Sequence, residues 1–238
     1  MNVSHRYKLV WWATSRCASR YTSSFLSPLV FYNYDNGAKP VYNSDLIFDD
    51  TNGQDEVSFS HILQTPSEFT DYKVITSIRN PYDYFYSNYR LTQMEYLRGD
   101  LSQKGIFEIA DPADIKYTFE EWVYLDFKKY EGMHYTRYDS KHELSNFNDI
   151  DYLIRYENLK NDIMKIPAVI ELYNSNDIYK SHIDSLLNDT KDDYRDSLPF
   201  KSENFTDVYT EDIANMVYEL YKPQFDTFGY ERDSWKRK

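Results

Sequence analysis

Short apolar runs alternate along the chain with segments in which apolar residues recur every three or four positions, a pattern typical of strands followed by helices. The runs that predict strands span residues 8–13, 45–48, 56–61, 73–78 and 151–156. The segments that predict helices span residues 20–32, 81–98, 118–130, 157–174, 177–187 and 210–227. This alternation predicts an α/β fold with a mostly parallel central sheet flanked by helices.

Local signals define several helix ends. Thr118 and Glu121 have the spacing of a capping box at the start of the helix predicted at 118–130. Thr210 is the predicted N-cap of the last helix, and Pro223 is expected to kink or restart that helix because it lacks a backbone N–H. These residues therefore have structural roles before any catalytic one.

The turn after the first predicted strand combines a cation, small residues and hydroxyls. Arg16 follows the apolar run, and Ala18 and Ser19 are small enough for the backbone to approach a ligand. Because the first N–H groups of a helix lack internal partners and lie at the positive end of its dipole, an anion is stabilised there. No acid precedes Asp35, although acids outnumber bases 39 to 27, so the segment is locally cationic. A surface turn with scattered cations is the alternative interpretation.

A second strand, turn and helix has another set of anion-binding features. Arg79 follows a β-branched run, at the carboxyl end of a strand where open α/β sheets place their ligands. Asn80 is the predicted N-cap and Pro81 the first helical residue. Ser87 lies on a helix face that can turn toward Arg79, so a guanidinium and a hydroxyl would hold a phosphate from two sides. The alternative is a structural ion pair between Arg79 and an acid such as Glu157.

Together the two turns resemble the 5′-phosphosulfate loop and the 3′-phosphate motif of sulfotransferases that use 3′-phosphoadenosine 5′-phosphosulfate (PAPS), nearest to the carbohydrate sulfotransferase branch. The matching residues are Arg16 and Ser19 in the loop, and Arg79, Asn80, Pro81 and Ser87 in the motif. Two later segments resemble the family's late strand, which ends in Arg-x-Glu-x-Leu, and its C-terminal helix with a Phe-Gly-Tyr close. These segments end in Arg155-Tyr-Glu-Asn-Leu159 and Phe228-Gly-Tyr230.

The resemblance implies a P-loop-like sulfotransferase fold, a single domain over residues 1–238, and sulfuryl transfer from PAPS to an acceptor hydroxyl. The product would be 3′,5′-bisphosphoadenosine (PAP), and Arg16 would stabilise charge on the bridging oxygen as the sulfuryl group leaves. The acceptor expected from this branch is a carbohydrate, bound by an insertion at 99–149. The residues expected to bind the donor are Arg16, Cys17, Ala18, Ser19, Arg20, Tyr21, Arg79, Ser87 and Lys201.

The first loop departs from the family pattern at two positions. Ala18 stands where the family usually has Gly, and Arg20 stands where it usually has a second Ser or Thr. Either Arg20 reaches the sulfonate as an extra cation, or the pattern is shifted and the hydroxyls come from Thr22 to Ser24.

A general base must take the proton of the acceptor hydroxyl, and a pKa near the working pH favours His or a Glu whose pKa is raised by its environment. His61 ends the predicted strand at 56–61, between the two phosphate motifs, and resembles the His that follows the intervening strand in related sulfotransferases. We expect His61 to be this base. A His held by backbone groups at a strand end is the alternative.

Composition restricts the partners and the compartment. The net charge of −12 argues against general nucleic-acid binding, which needs a broad basic surface. Cys17 is the single cysteine, so no intrachain disulfide can form and a reducing compartment is expected. No apolar segment has the length of a membrane span, and no His pair has metal-ligand spacing beside a carboxylate. The expected protein is a cytoplasmic enzyme without a metal, acting on a small molecule or glycan.

Two other functions fit parts of the pattern. A nucleotide or small-molecule kinase on a related phosphate-binding fold would need a Gly-x-x-x-x-Gly-Lys-Ser/Thr loop, which the first turn lacks. A non-catalytic binding protein that keeps the fold would account for the departures at Ala18 and Arg20. Dependence on ATP and magnesium would favour the kinase, and absence of transfer from a labelled donor would favour the binding protein.

Overall fold

The computed structural model of this protein describes residues 2–14, 17, 19–29, 31–33, 39–41, 69–97, 118–130, 150–188 and 204–236. The chain divides into two compact units. The first comprises Met1–Arg79 and Tyr138–Thr190, and the second comprises Asn80–Arg137 and Lys191–Lys238. Among the described residues, no helix is both long enough and apolar enough to cross a bilayer.

The strands described belong to the first unit and form one six-stranded mixed sheet. They are β1 (Asn2–Ser4), β2 (Leu9–Trp12), β3 (Phe31–Asn33), β4 (Lys39–Val41), β5 (Lys73–Ile78) and β6 (Tyr152–Arg155), in the order β4-β3-β1-β2-β5-β6. The β2–β5 and β5–β6 pairs are parallel, whereas β1–β2, β1–β3 and β3–β4 are antiparallel. The expected α/β class is confirmed, with parallel pairing in the half of the sheet that contains β2, β5 and β6.

The antiparallel pairing of β1 with β2 follows from the short connection between them. Only four residues, 5–8, connect β1 to β2, and a parallel pair needs a crossover of a dozen or more. The strand predicted at 73–78 is confirmed at both ends as β5. The strands predicted at 45–48 and 56–61 lie outside the described residues.

Seven α-helices lie in the described part of the chain. They are α1 (Ser19–Leu26), α2 (Pro81–Leu97), α3 (Phe119–Tyr130), α4 (Leu159–Ile163), α5 (Pro167–Ser175), α6 (Asp177–Asn188) and α7 (Glu211–Phe228). The helix predicted at 20–32 ends earlier, because Pro28 forces a 3₁₀ turn at Ser27–Leu29 before β3 begins. The helix predicted at 157–174 is broken before Pro167, which begins α5.

In the first unit, apolar side chains on one face of the sheet pack against α1 and against α4 to α6. Trp11 of β2, Ile75 of β5 and Ile154 of β6 are fully buried in this core. Because side chains alternate along a strand, Trp12 and Val74 belong to a second core on the opposite face. Both faces of the sheet at β2 and β5 therefore carry buried apolar side chains. The residues that follow the carboxyl ends of these strands come directly after both apolar clusters.

The second unit is built from helices around an aromatic core. Tyr82 of α2 packs edge-on against Phe225 of α7, with ring centroids 4.9 Å apart, and Tyr209 donates a hydrogen bond to the Tyr82 carbonyl over 2.8 Å. The capping box of α3 is confirmed by reciprocal hydrogen bonds between Thr118 and Glu121. The last helix, α7, begins after its predicted cap and is kinked two residues before its proline.

Candidate functional site

The turn after β2 is tied to β5 by hydroxyl groups. Thr14 Oγ1 lies 3.0 Å from Thr76 Oγ1, and the Thr76 hydroxyl is also 3.1 Å from the Trp12 carbonyl that accepts its hydrogen bond. The Cys17 N–H then donates to the Thr14 carbonyl over 3.3 Å, which folds the chain back toward α1. Cys17 is buried, consistent with the small-residue role that a compact turn requires.

The first turn of α1 contains Ser19, Arg20 and Tyr21, and it carries no acidic residue. The helix dipole at this end is therefore not neutralised by an acid of the helix itself. Arg16 and Ala18, which precede it, lie outside the described residues.

Two buried hydroxyls stand out beside this turn. Thr22 Oγ1 of α1 and Ser77 Oγ of β5 are fully buried, and neither has a hydrogen-bond partner within the described part of the chain. Ser77 lies on the face of β5 that also carries Ile75, which is the face that α1 covers. Buried hydroxyls without partners are uncommon, so α1 and β5 each retain capacity to bind a polar group.

The side chain of Arg79 lies directly beyond β5. It is only 8% exposed, and its guanidinium carbon lies 4.2 Å from the centre of the Tyr156 ring. Tyr156 follows β6, and the parallel register places Ile78 opposite Arg155. The residues that come next, Arg79 and Tyr156, therefore lie side by side at the carboxyl edge of the sheet. The guanidinium is therefore held against an aromatic face as a cation–π pair.

Strand order brings the two candidate turns together. In the parallel pair of β2 and β5, Trp12 lies opposite Thr76, so both strands end at the same edge of the sheet. The turn that begins α1 follows one strand, and Arg79 follows the other. Open α/β sheets bind ligands at this carboxyl edge, which makes it the candidate site of the first unit.

A buried carboxylate fixes the turn after β6. Asp162 of α4 accepts hydrogen bonds from the Arg155 N–H (3.0 Å), Asn158 Nδ2 (2.9 Å) and Lys165 Nζ (2.6 Å). Burial alone would raise the pKa of Asp162. The hydrogen bonds from Lys165 and Arg155 and the positive charges of both side chains outweigh burial, so this pKa lies below its ordinary value.

In the second unit, the start of α2 has the cap that its sequence predicts. Asn80 Oδ1 accepts a hydrogen bond from the Tyr82 N–H over 3.0 Å, and Asn80 Nδ2 donates to Ser234 Oγ over 2.9 Å. Asp83 lies in the first turn of this helix. Ser87, one helical turn further on, is buried.

The remaining predicted site residues, His61 and Lys201, lie outside the described residues, so their roles stay predictions. The described residues contain no group of three or more His, Cys, Asp or Glu side chains arranged to hold a metal ion. Sequence reasoning missed Tyr156 and Asp162 as parts of the site. The signal for Tyr156 was its place inside the segment Arg155-Tyr-Glu-Asn-Leu159, whereas the role of Asp162 depends on a contact that no short motif reveals.

A family model described as the sulfotransferase family matches residues 1–231. This range includes both candidate turns, the segment after β6 and the C-terminal helix. Neither the curated proteins nor the solved structures yield a significant match to the chain.

Proposed function

This chain belongs to the sulfotransferase family, whose reaction is sulfuryl transfer, and we propose that its donor is PAPS and its acceptor a carbohydrate hydroxyl. The observation that carries this proposal is the parallel pairing of β2 with β5, because it brings the turn before α1 and Arg79 to one sheet edge. A nucleotide phosphorylated at both the 5′ and 3′ positions has two separate anionic groups, which suits two separate anion-binding devices.

The turn between β2 and α1 would bind the 5′-phosphosulfate. PAPS supplies the activated sulfuryl group, and the protein has to position it and to place cations on its oxygens. Arg16 and Ser19 would hold these oxygens, with further contacts from residues 17–21, and Arg16 would stabilise charge on the bridging oxygen. Two features support this assignment: the acid-free start of α1, and the Thr22 hydroxyl, which has no hydrogen-bond partner among the described residues.

Arg79 would bind the 3′-phosphate and so distinguish this donor from ordinary adenine nucleotides. A guanidinium presents several N–H donors in a fixed plane, which matches a phosphate better than an ammonium does. The burial of Arg79 supports the assignment, because a desolvated charge gains more from a partner anion. Ser87 enters the proposal through its spacing from Arg79 in the sequence.

His61 would accept the proton of the acceptor hydroxyl, and Lys201 would close over the nucleotide. Residues 99–149 would contribute contacts to the acceptor. A cytoplasmic location stays a prediction from the single cysteine.

Isothermal titration of the protein with PAP and with AMP tests the nucleotide assignment. Wild type should bind PAP far more tightly, and Arg79→Ala should remove that preference while AMP affinity stays unchanged. Lys73→Ala, at the opposite end of β5 and exposed, is the matched control and should behave as wild type. Equal wild-type affinity for the two nucleotides would reject the role of Arg79.

The reaction is tested with sulfur-labelled PAPS and panels of glycans and metabolites. We expect label on a glycan, and we expect its transfer to fall in His61→Ala. His5→Ala is the control, because His5 lies in the turn before β2 and its ring nitrogen contacts the Tyr72 hydroxyl. Phosphate transfer from ATP with magnesium, or binding of PAP without any transfer, would support the kinase or the non-catalytic alternative instead.

A further inference from the structure

The contact between Arg79 and Tyr156 has a consequence for nucleotide selectivity. We propose that Tyr156 is a positioning residue, whose ring face holds the Arg79 guanidinium so that its N–H edge stays directed to the 3′-phosphate. This inference rests on the proposed function of Arg79. The juxtaposition that carries it is the 4.2 Å separation between the guanidinium carbon and the ring centre, at a side chain that is 8% exposed.

Stacking on a ring suits a phosphate-binding arginine. A guanidinium that lies on an aromatic ring interacts with the ring through its flat face. Its N–H donors lie in its own plane and point outward, toward groups at its edge. An arginine without such support has to lose its rotamer freedom when the ligand binds, which weakens binding. The Tyr156 ring removes that freedom in advance, so the selectivity for a 3′-phosphate depends on the ring.

The ring is itself held in place from two directions. The parallel register of β5 and β6 fixes Arg155 opposite Ile78, directly before the two stacked residues. The Asp162 carboxylate binds the N–H of Arg155 on one side of Tyr156 and the side-chain amide of Asn158 on the other. Tyr156 is therefore a support anchored in the backbone, and its ring face lies against the Arg79 guanidinium.

Titration of three proteins with PAP and AMP tests this role, and the measured quantity is the ratio of the two affinities. Tyr156→Phe keeps the ring and should keep the wild-type ratio. Tyr156→Leu removes the ring and should reduce the ratio about tenfold, which lies between the effects of an exposed and a fully desolvated cation–π contact. AMP affinity should change much less, since AMP has no 3′-phosphate.

Tyr152→Leu is the matched control. Tyr152 lies on β6, packs against the core that contains Ile75 and Ile154, and is half-buried like Tyr156. It should lower stability without changing the ratio of PAP to AMP affinity. Tyr156→Met, whose longer and more flexible side chain adapts better to the space left by the ring, is the second variant if the leucine variant does not fold, and it should show the same tenfold loss.

The double variant Arg79→Ala/Tyr156→Leu separates this inference from the proposed function. If Tyr156 acts through Arg79, adding Tyr156→Leu to Arg79→Ala should change neither PAP affinity nor AMP affinity further. Equal binding of PAP and AMP by wild type would reject the proposed function. A wild-type preference for PAP that survives in both Tyr156→Leu and Tyr156→Met would overturn the role of Tyr156 alone.

Discussion

The two strand–turn–helix segments share a plan but differ at the start of their helices. The first turn of α1 has no acid. The start of α2 already has an internal partner in the Asn80 side chain and a negative charge in Asp83. An anion is therefore favoured at the start of α1 and disfavoured at the start of α2.

For the proposed donor, this difference would provide two ways of binding the charged ends of one nucleotide. The start of α1 offers backbone N–H groups and the positive end of the helix dipole. Arg16, which precedes α1 in the sequence, adds a positive charge. At the start of α2 the Tyr82 N–H already has a partner in Asn80, so the proposed recognition there would depend on the side chain of Arg79, which lies against the Tyr156 ring. Changes in the turn between β2 and α1 should lower the affinity for every 5′-phosphorylated nucleotide. Changes at Arg79 should lower the affinity only for nucleotides that also carry a 3′-phosphate.

The largest effect is expected from Arg16→Ala. If Arg16 stabilises charge on the bridging oxygen, its loss should reduce kcat for sulfuryl transfer about 100-fold or more, as losing one transition-state donor does. AMP and PAP affinities should fall together, because both carry the 5′-phosphate. Rates with labelled PAPS and titration with both nucleotides measure these effects.

Arg6→Ala is the control for that experiment, because Arg6 lies in the turn between β1 and β2 with its guanidinium over the Tyr7 ring. It should retain wild-type rates. A selective loss of PAP binding in Arg16→Ala, with AMP binding intact, would exchange the roles of the two turns and contradict the comparison.

The sequence predicted β5 and the start of α2 better than it predicted the antiparallel strands β1, β3 and β4, and the reasons are local. The β5 run is long and β-branched, and Asn80 with Pro81 defines the helix start, so both boundaries are visible in a short window. By contrast, β1, β3 and β4 are three residues each, too short for alternation to appear. Their antiparallel pairing depends on contacts between segments, which no single window contains.

The site shows the same limit. Arg79 was predicted from its place after a strand, and the parallel register confirms that it lies at the carboxyl edge. The contact of Arg79 with Tyr156 arises because β6 pairs with β5, although more than 70 residues separate the two side chains in the chain. Such a partner becomes visible only when the strand order is known.

Asp162→Asn should have the next largest effect, on the stability of the turn that carries Tyr156. An amide keeps one acceptor but faces the donors of Asn158 and Lys165 with its own N–H₂, so about 2 kcal/mol of unfolding free energy should be lost. Because Lys165 is exposed, most of this loss comes from the bond to Asn158, whereas the retained oxygen still accepts from the Arg155 N–H. Urea unfolding at pH 7 measures it.

The pH dependence gives an independent check on Asp162. Its folded-state pKa lies below the ordinary value of about 3.9. The carboxylate therefore contributes stability that is fully present above about pH 4 and is lost as the pH falls through the folded-state pKa. The difference in stability between wild type and Asp162→Asn should shrink over that acidic range. Asp71→Asn, which breaks an exposed pair with Lys8, is the control and should show little effect at any pH.

Ser19→Asp should give a smaller effect, on binding rather than on folding. A carboxylate at the start of α1 favours the helix through its dipole but repels a 5′-phosphate, so AMP and PAP affinities should both fall about tenfold. Ser19→Asn has nearly the same shape without the charge and should keep most of the affinity. Unchanged AMP binding in Ser19→Asp would show that the 5′-phosphate does not lie at this helix start.

Asn80→Ala should give the smallest effect and tests the other side of the comparison. The change removes the acceptor for the Tyr82 N–H and the donor to Ser234, so unfolding free energy should fall by about 1 kcal/mol. Asn80→Asp keeps the acceptor and should retain most of that stability. AMP affinity should be unchanged in both variants, because the start of α2 has no part in 5′-phosphate binding. If Asn80→Ala weakened AMP as much as Ser19→Asp does, the two helix starts would share one anion, and the division into a backbone device and a side-chain device would be wrong.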